Sequence, residues 1–258
     1  MKRGFGVAAG LEPAIAAPLA ERCRELGYGS IWSNDTPLAS GLATLAEFAD
    51  GAGEIELGVT LAIDRHEPEA IAAEIDRLDL PHQRLWIAVG AGQSSKPLTA
   101  MREALPKLRD ALGDIRIVLA AMGPKMCAFG GAGFDGVFFN WMTPDFAAGA
   151  RRHVERGAAD AGREAPPVLG YVRTAVGPDA QRRLAKEEAF YRDLHDGYRN
   201  HFARLDEPEG TVGVAAADAR AAQAELAAHE ALDILVVRAL ASAKLDAMNA
   251  VATAAAPR

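Results

Sequence analysis

Apolar residues along this chain gather into short runs of about four to eight, separated by longer stretches in which they recur every three or four positions. The runs predict strands at Phe5–Ala8, Ser30–Ser33, Ile55–Ala62, Leu85–Val89, Ile117–Ala121, Val137–Trp141, Val168–Ala175 and Leu232–Val237. The periodic stretches predict helices over Pro13–Leu26 (stopped by Gly27), Gly41–Ala52, Pro68–Leu78, Leu98–Ala111, Pro144 to near Gly162, and Ser242–Ala254. Pro178 to about His229 reads as a long, polar, helix-rich region. The repeating phrase is plainest in Arg116–Pro144: a strand, the break Met122-Gly123-Pro124-Lys125, a short helix of small residues, then Phe134-Asp135-Gly136 leading into the next strand. Apolar strands separated by helices favour parallel pairing, because parallel neighbours need a crossover.

Eight strand–helix units in about 250 residues match a (β/α)8 TIM barrel. A doubly wound open sheet of five to seven strands is the competitor, and the regular count of eight favours the barrel. No Gly-rich or Pro-rich linker interrupts the pattern, so residues 1–258 read as one domain with a helical excursion at about 178–229.

The net charge of −7 offers nothing to a nucleic acid or an anionic membrane surface. No segment is long and apolar enough to span a bilayer. Glu12 and Pro13 interrupt the Ala-rich N-terminal run before it reaches the length of a signal peptide, so the expected compartment is cytoplasmic. Cys23 and Cys127 lack zinc or CxxC spacing and read as buried thiols. No metal site is expected. His195, Asp196 and His201 share one polar stretch, but the two imidazoles fall on different helical faces, which suggests a solvated helix. Arg151-Arg152-His153 and Arg182-Arg183 read likewise as solvated faces. Gly90-Ala91-Gly92 lacks the third glycine of a Rossmann fingerprint.

A barrel gathers its chemistry on the loops after the strands. The candidates are therefore Asn34 and Asp35, Thr60 and Asp64, Gly90 to Gln93, Met122 to Lys125, Asn140 and Trp141, Arg173 and Thr174, and Arg238. Gly123-Pro124, with Lys125, reads as a phosphate site at a helix start or as no more than a tight turn. Asp35 reads as an Asx turn or helix cap, or as a polar group facing a ligand. Arg173 and Arg238 are foreign to apolar strands: they bind an anionic substrate or cofactor tail, or belong to an ion pair closing the barrel mouth.

Several phrases, in order and at matching spacing, resemble the bacterial luciferase-like superfamily of flavin and deazaflavin oxidoreductases: LAERCRELGYGSIWSNDTP (Leu19–Pro37), ELGVTLAIDRHEPEAIAAEIDRLD (Glu56–Asp79), RLWIAVGAG (Arg84–Gly92), AAMGPKM and FDGVFFNWMTP. YVRTAVGPDA (Tyr171–Ala180) is similar to the seventh strand of members that depend on coenzyme F420. The resemblance implies a TIM barrel that binds coenzyme F420, the favoured cofactor, or FMN at the strand ends and exchanges a hydride with a small organic substrate; the alternatives are an FMN-dependent monooxygenase or a non-catalytic flavin-binding barrel. A homodimer is in keeping with it. It further implies a cis peptide at Gly58–Val59, a ring backed by Val59 and Thr60 and lined by Ala91, Gly92 and Gln93, a phosphate held by Met122, Gly123 and Lys125, and Asp35 beside the ring or polyol. Asp35, Gln93 and Trp141 are the candidates for catalysis, Arg173 and Arg238 for substrate binding. Two departures stand out. Sugar-phosphate dehydrogenases of the superfamily carry His where this chain has Thr36, and Glu where it has Gln93. An amide does not exchange protons as a carboxylic acid does, which argues against alcohol oxidation and for reduction of an activated C=C or C=N bond, or flavin oxygen chemistry.

Overall fold

The computed structural model describes all 258 residues. Strands β1 (Lys2–Ala8), β2 (Ser30–Asn34), β3 (Glu56–Ala62), β4 (Leu85–Gly90), β5 (Arg116–Ala121), β6 (Gly136–Asn140) and β7 (Val168–Val176) pair in sequence, all parallel. A short β8 (Val214–Ala216) pairs only with the far end of β7, whereas β9 (Ile234–Ala239) lies between β7 and β1 and closes the ring. The result is an eight-stranded parallel barrel, a single-domain (β/α)8 fold, with β8 appended outside it.

Helices α1 (Pro13–Glu25), α2 (Gly41–Ala52), α3 (Pro68–Arg77), α4 (Pro97–Leu112), α5 (Pro124–Gly133) and α6 (Pro144–Asp160) follow the first six strands. Five of these six have proline in the first turn, where its missing N–H costs no helical bond. Alternate strand residues such as Phe5, Leu57, Ile87, Ile117 and Val237 face outward and bury against these helices. The region after β7 holds α7 (Ala180–Leu194), α8 (Asp196–Leu205), β8 and α9 (Ala219–Ala227) before β9 and α10 (Leu245–Ala254). The excursion expected to be helix-rich also contains a strand: Val214–Ala216 is short, and its small residues carried no periodic signal.

The barrel interior is filled by a second apolar cluster: Trp32, Trp86, Ala88, Val118, Phe138, Leu169, Tyr171, Ile234 and Val236. These large rings fit because glycines face them. A Cβ on Gly58 would stand 2.2 to 2.5 Å from the Trp32 indole, and one on Gly6 would stand 2.8 Å from Tyr171. Gly58 therefore needs no unusual peptide geometry to account for it. Every peptide bond is trans, and the cis bond expected at Gly58–Val59 is absent. An ion pair does close one end of the barrel, but at the strand N-termini: Arg116 binds Glu56, stacks 4.1 Å over Trp86, and Trp86 Nε1 donates to Glu56 at 2.9 Å.

Candidate functional site

At the opposite end, the last inward positions of the strands form the mouth: Asn34, Thr60, Gly90, Ala120, Asn140, Arg173 and Arg238. Arg173 and Arg238 are direct cross-strand partners on β7 and β9. Both are buried, at 2% and 6% exposure. Arg173 donates to the Asn140 side-chain oxygen and lies 4.1 Å from the Trp141 ring centre and 4.9 Å from that of Tyr191. Arg238 donates from Nε to Asn34 Oδ1 at 2.9 Å and from Nη1 to the Ala239 carbonyl at 3.0 Å. Neither forms an ion pair, so of the two readings of these arginines the ion pair at the mouth is not found. Burial and the neighbouring Arg173 charge hold the Arg238 pKa below its ordinary value. Tyr171, below them, is pushed up to about 12 by burial.

Helices α7 and α8 lie across this mouth. Tyr198 Oη accepts from Asn140 Nδ2 at 2.9 Å, and Trp141, Leu184, Phe202, Leu205 and Val212 form a small core beneath the pair. His201 is fully buried and donates from Nε2 to the Trp141 carbonyl. The carboxylate of Glu188, also fully buried, takes Arg192 and the Val212 N–H. The solvated-helix reading of His195 and His201 is thereby corrected. The chain turns at His195, which caps α8, and the turn rotates His201 inward. Arg183 is likewise not a surface charge; it donates to the Leu240 and Val176 carbonyls. Arg151 pairs with Glu155 and Asp233. Trp141 is buried and serves as the floor under Arg173, away from the open rim.

Asp35 is almost fully buried and bridges three elements. Oδ1 accepts from the Gly41 N–H at 2.8 Å, and Oδ2 takes both Arg65 and His66 Nε2 at 2.8 Å. A carboxylate can only accept, so Nε2 donates in this contact, and Nδ1 is the ring nitrogen that no protein group engages. Thr36 closes a tight turn with Ala39 instead. Asp64, from the same loop as His66, accepts the Gln93 backbone N–H at 2.8 Å and fills the space a Cβ on Gly92 would occupy. The loop after β3 thus returns an imidazole and a carboxylate beside the two positions where the sequence lacks them. His66 was missed because its partner is 31 residues away; the adjacent motif IDRH was the available signal.

The implied cofactor residues divide into two groups. Val59 is fully buried on the outer face, against Gly41, and Ala91 also belongs to the outer core. Gly58 is filled by Trp32, Gly92 by Asp64, and the Gln93 side chain is exposed. By contrast, Gly90 and Gly123 leave bare main chain. The nearest atom to a Cβ on Gly90 is the Ala120 Cβ at 3.4 Å, and to one on Gly123 it is Arg204 Nη2 at 3.9 Å. Gly123 is the residue before the first turn of α5, whose leading N–H groups have no helical partner, and Lys125 stands exposed beside it. Backbone donors and two cations fit a phosphate at this rim. Met122 is half-buried against the outer core. Open surface hollows lie away from the mouth, at the barrel's other end around Met1, Arg3 and Arg258, and between α1 and α2. No cluster of metal-ligating side chains occurs, and no helix is long and apolar enough to cross a membrane.

A family model, the luciferase-like monooxygenases, matches residues 99–255, more than half of the chain. The protein belongs to this family of flavin- and F420-dependent oxidoreductases and monooxygenases. An F420-dependent secondary alcohol dehydrogenase solved with an F420–acetone adduct is similar over 98% of both chains, with a TM-score of 0.77 at 16% identity. The coenzyme F420-dependent tetrahydromethanopterin reductase of Methanopyrus kandleri is similar over 97% of both, at 0.73 and 18%. The oxygenating constituent of a Pseudomonas putida 3,6-diketocamphane monooxygenase, solved with FMN, is similar over 98% of both, at 0.68 and 14%. At such identities these likenesses show the fold. No curated protein sequence matches the chain.

Proposed function

We propose that this protein is an F420-dependent oxidoreductase that exchanges a hydride with a small organic molecule. The observation that carries the reading is the Asp35–His66 contact at the mouth of a luciferase-like barrel. Hydride transfer to or from a C=O, C=C or C=N bond leaves a proton to be placed, and oxygen chemistry on a flavin asks less of the protein. The two F420-dependent structures compared above support the same choice.

In this reading Gly123, Lys125 and Arg204 hold the cofactor's phosphate, and Asn34, Thr60 and Gly90 border its ring. When bound, the deazaflavin supplies a carbon that gives or takes the hydride. Asp35 fixes the His66 ring and its tautomer, and Nδ1 of His66 takes or delivers the substrate proton. Helices α7 and α8 exclude water from the mouth.

Thermal unfolding with F420 and with FMN tests the cofactor. The midpoint should rise with F420, since a ligand that binds only the native state stabilises it. A flat response to F420 sinks the proposal, and a rise with FMN alone moves it to the monooxygenase class. His66→Gln should keep the F420 response while turnover falls by about a hundredfold or more. Unchanged turnover would remove His66 from the chemistry.

A further inference from the structure

We infer that Arg173 and Arg238 form the substrate-anchoring site and that the substrate carries a carboxylate. This rests on the oxidoreductase reading of the mouth and names the class of molecule that the mouth takes.

Arg173 and Arg238 occupy paired positions on adjacent strands, in direct register within the barrel, and both are buried. Burying one unpaired charge is expensive, and burying two of like sign more so. A protein normally offsets such charges with carboxylates, as this one does at the other end of its barrel with Glu56 and Arg116. At the mouth the partners are neutral: Asn140 for Arg173, Asn34 and the Ala239 carbonyl for Arg238. Each guanidinium has five N–H donors, and most find no acceptor. Arg173 Nε is buried without any hydrogen-bond partner. Half-buried Glu187 of α7 is close enough to raise the Arg238 pKa slightly, yet it makes no ion pair.

The unmet donors, on two charges that meet only neutral and aromatic partners, describe a place for an anion. Its walls select the kind. Arg173 keeps Nε and Nη2, and Arg238 keeps Nη2, without a protein acceptor, and such a fork of N–H groups matches the planar, two-oxygen edge of a carboxylate. Trp141, Tyr171 and Tyr191 crowd the same guanidinium with flat aromatic surfaces. In the proposed function a phosphate takes Gly123, Lys125 and Arg204, at a separate rim position.

The test is a thermal-shift series on the whole protein with acetate, benzoate and malonate, beside acetamide and benzamide at matched ionic strength, and with inorganic phosphate as a further arm. At about a hundred times its dissociation constant, a carboxylate should raise the midpoint by several degrees, and the amides should leave it unmoved. Arg238→Met should unfold at or above the wild-type midpoint without ligand, because it removes an uncompensated charge, and should lose the carboxylate response. Arg173→Met should behave alike and stands in if the first variant fails to fold. The inference is overturned if no carboxylate raises the midpoint, or if the rise survives both substitutions. It is also overturned if phosphate alone gives a rise that Arg238→Met abolishes, which would assign the pair to the cofactor's tail. A loss of stability shared by Arg238→Met and Glu187→Gln would reveal an internal ion pair and end it too. An F420 shift without a carboxylate shift leaves the oxidoreductase reading standing while this one fails.

Discussion

Lowering the pH should loosen the cap over the barrel mouth through His201, and the size of the effect follows from its surroundings. The imidazole has no exposed surface, donates to the Trp141 carbonyl, and faces Phe146, Phe202 and Arg204. No carboxylate is bonded to it. Burial, partly offset by the carbonyl, pushes its pKa down to about 4, from 6.5 in an unfolded chain. His229, also buried, is pushed down to about 4 by burial alone. Between pH 6.5 and 4 the unfolded chain therefore binds protons that the folded protein refuses. The stability these neutral histidines allow is complete above pH 6.5 and is lost as the pH falls toward 4. At about 1.4 kcal/mol per pKa unit, each should cost about 2 kcal/mol between pH 7.5 and pH 5. For a chain of this size the two together lower the unfolding midpoint by about 10 °C. His201→Gln keeps a donor toward Trp141 and removes the titration, so its midpoint should fall over the same interval by about half as much. Circular dichroism melts of both proteins at pH 5 to 7.5 measure this directly, and carboxylates that titrate in both cancel from the difference. Equal slopes for the two proteins would refute the reasoning.

Gly58→Ala should destabilise the barrel by about 3 kcal/mol or more, because its methyl group would overlap the Trp32 indole, which the surrounding rings hold in place; denaturant melts of the variant check it, and a wild-type midpoint would contradict the packing described. Arg204→Gln should weaken cofactor binding by roughly tenfold through lost charge at the phosphate rim, with little change in the melting midpoint of the protein alone; titration of F420 by fluorescence measures it. Cys23 and Cys127 should resist a thiol reagent in the native protein and react once denaturant is added, since burial raises both thiols, Cys127 to about 12.

The frame of the molecule was legible in its periodicity because each barrel strand buries one face on helices and the other on the interior, so its residues read as continuous apolar runs. The strand ends, and with them most mouth positions, followed from the count. What the sequence concealed depends on where side chains go once the ring closes. Val59 and Thr60 are neighbours, yet only Thr60 faces inward, and the alternation that separates them is fixed by register with β2 and β4. His66 becomes a partner of Asp35 only when two loops converge. His201 looked like a surface residue because the break at His195 falls inside one polar stretch, and the Asp196-Gly197 pair beside it was not read as a helix boundary. Arg173 and Arg238 were visible as oddities in apolar strands, but their register and their missing counter-ion were not.

Strand β8 has a consequence for how this architecture diversifies. The main chain departs from the barrel after Val176 and rejoins it at Val214–Ala216, whose register partners are Thr174–Val176. Residues 177–213 therefore leave and return at nearly one point of the scaffold, like a cassette clipped to its edge. Tyr191, Tyr198 and His201 all travel in that cassette, while the arginines it covers stay with the staves. Exchanging the cassette for one of different length or sequence would reshape what the mouth admits and leave the closure of the barrel, and the anchoring charges within it, as they are.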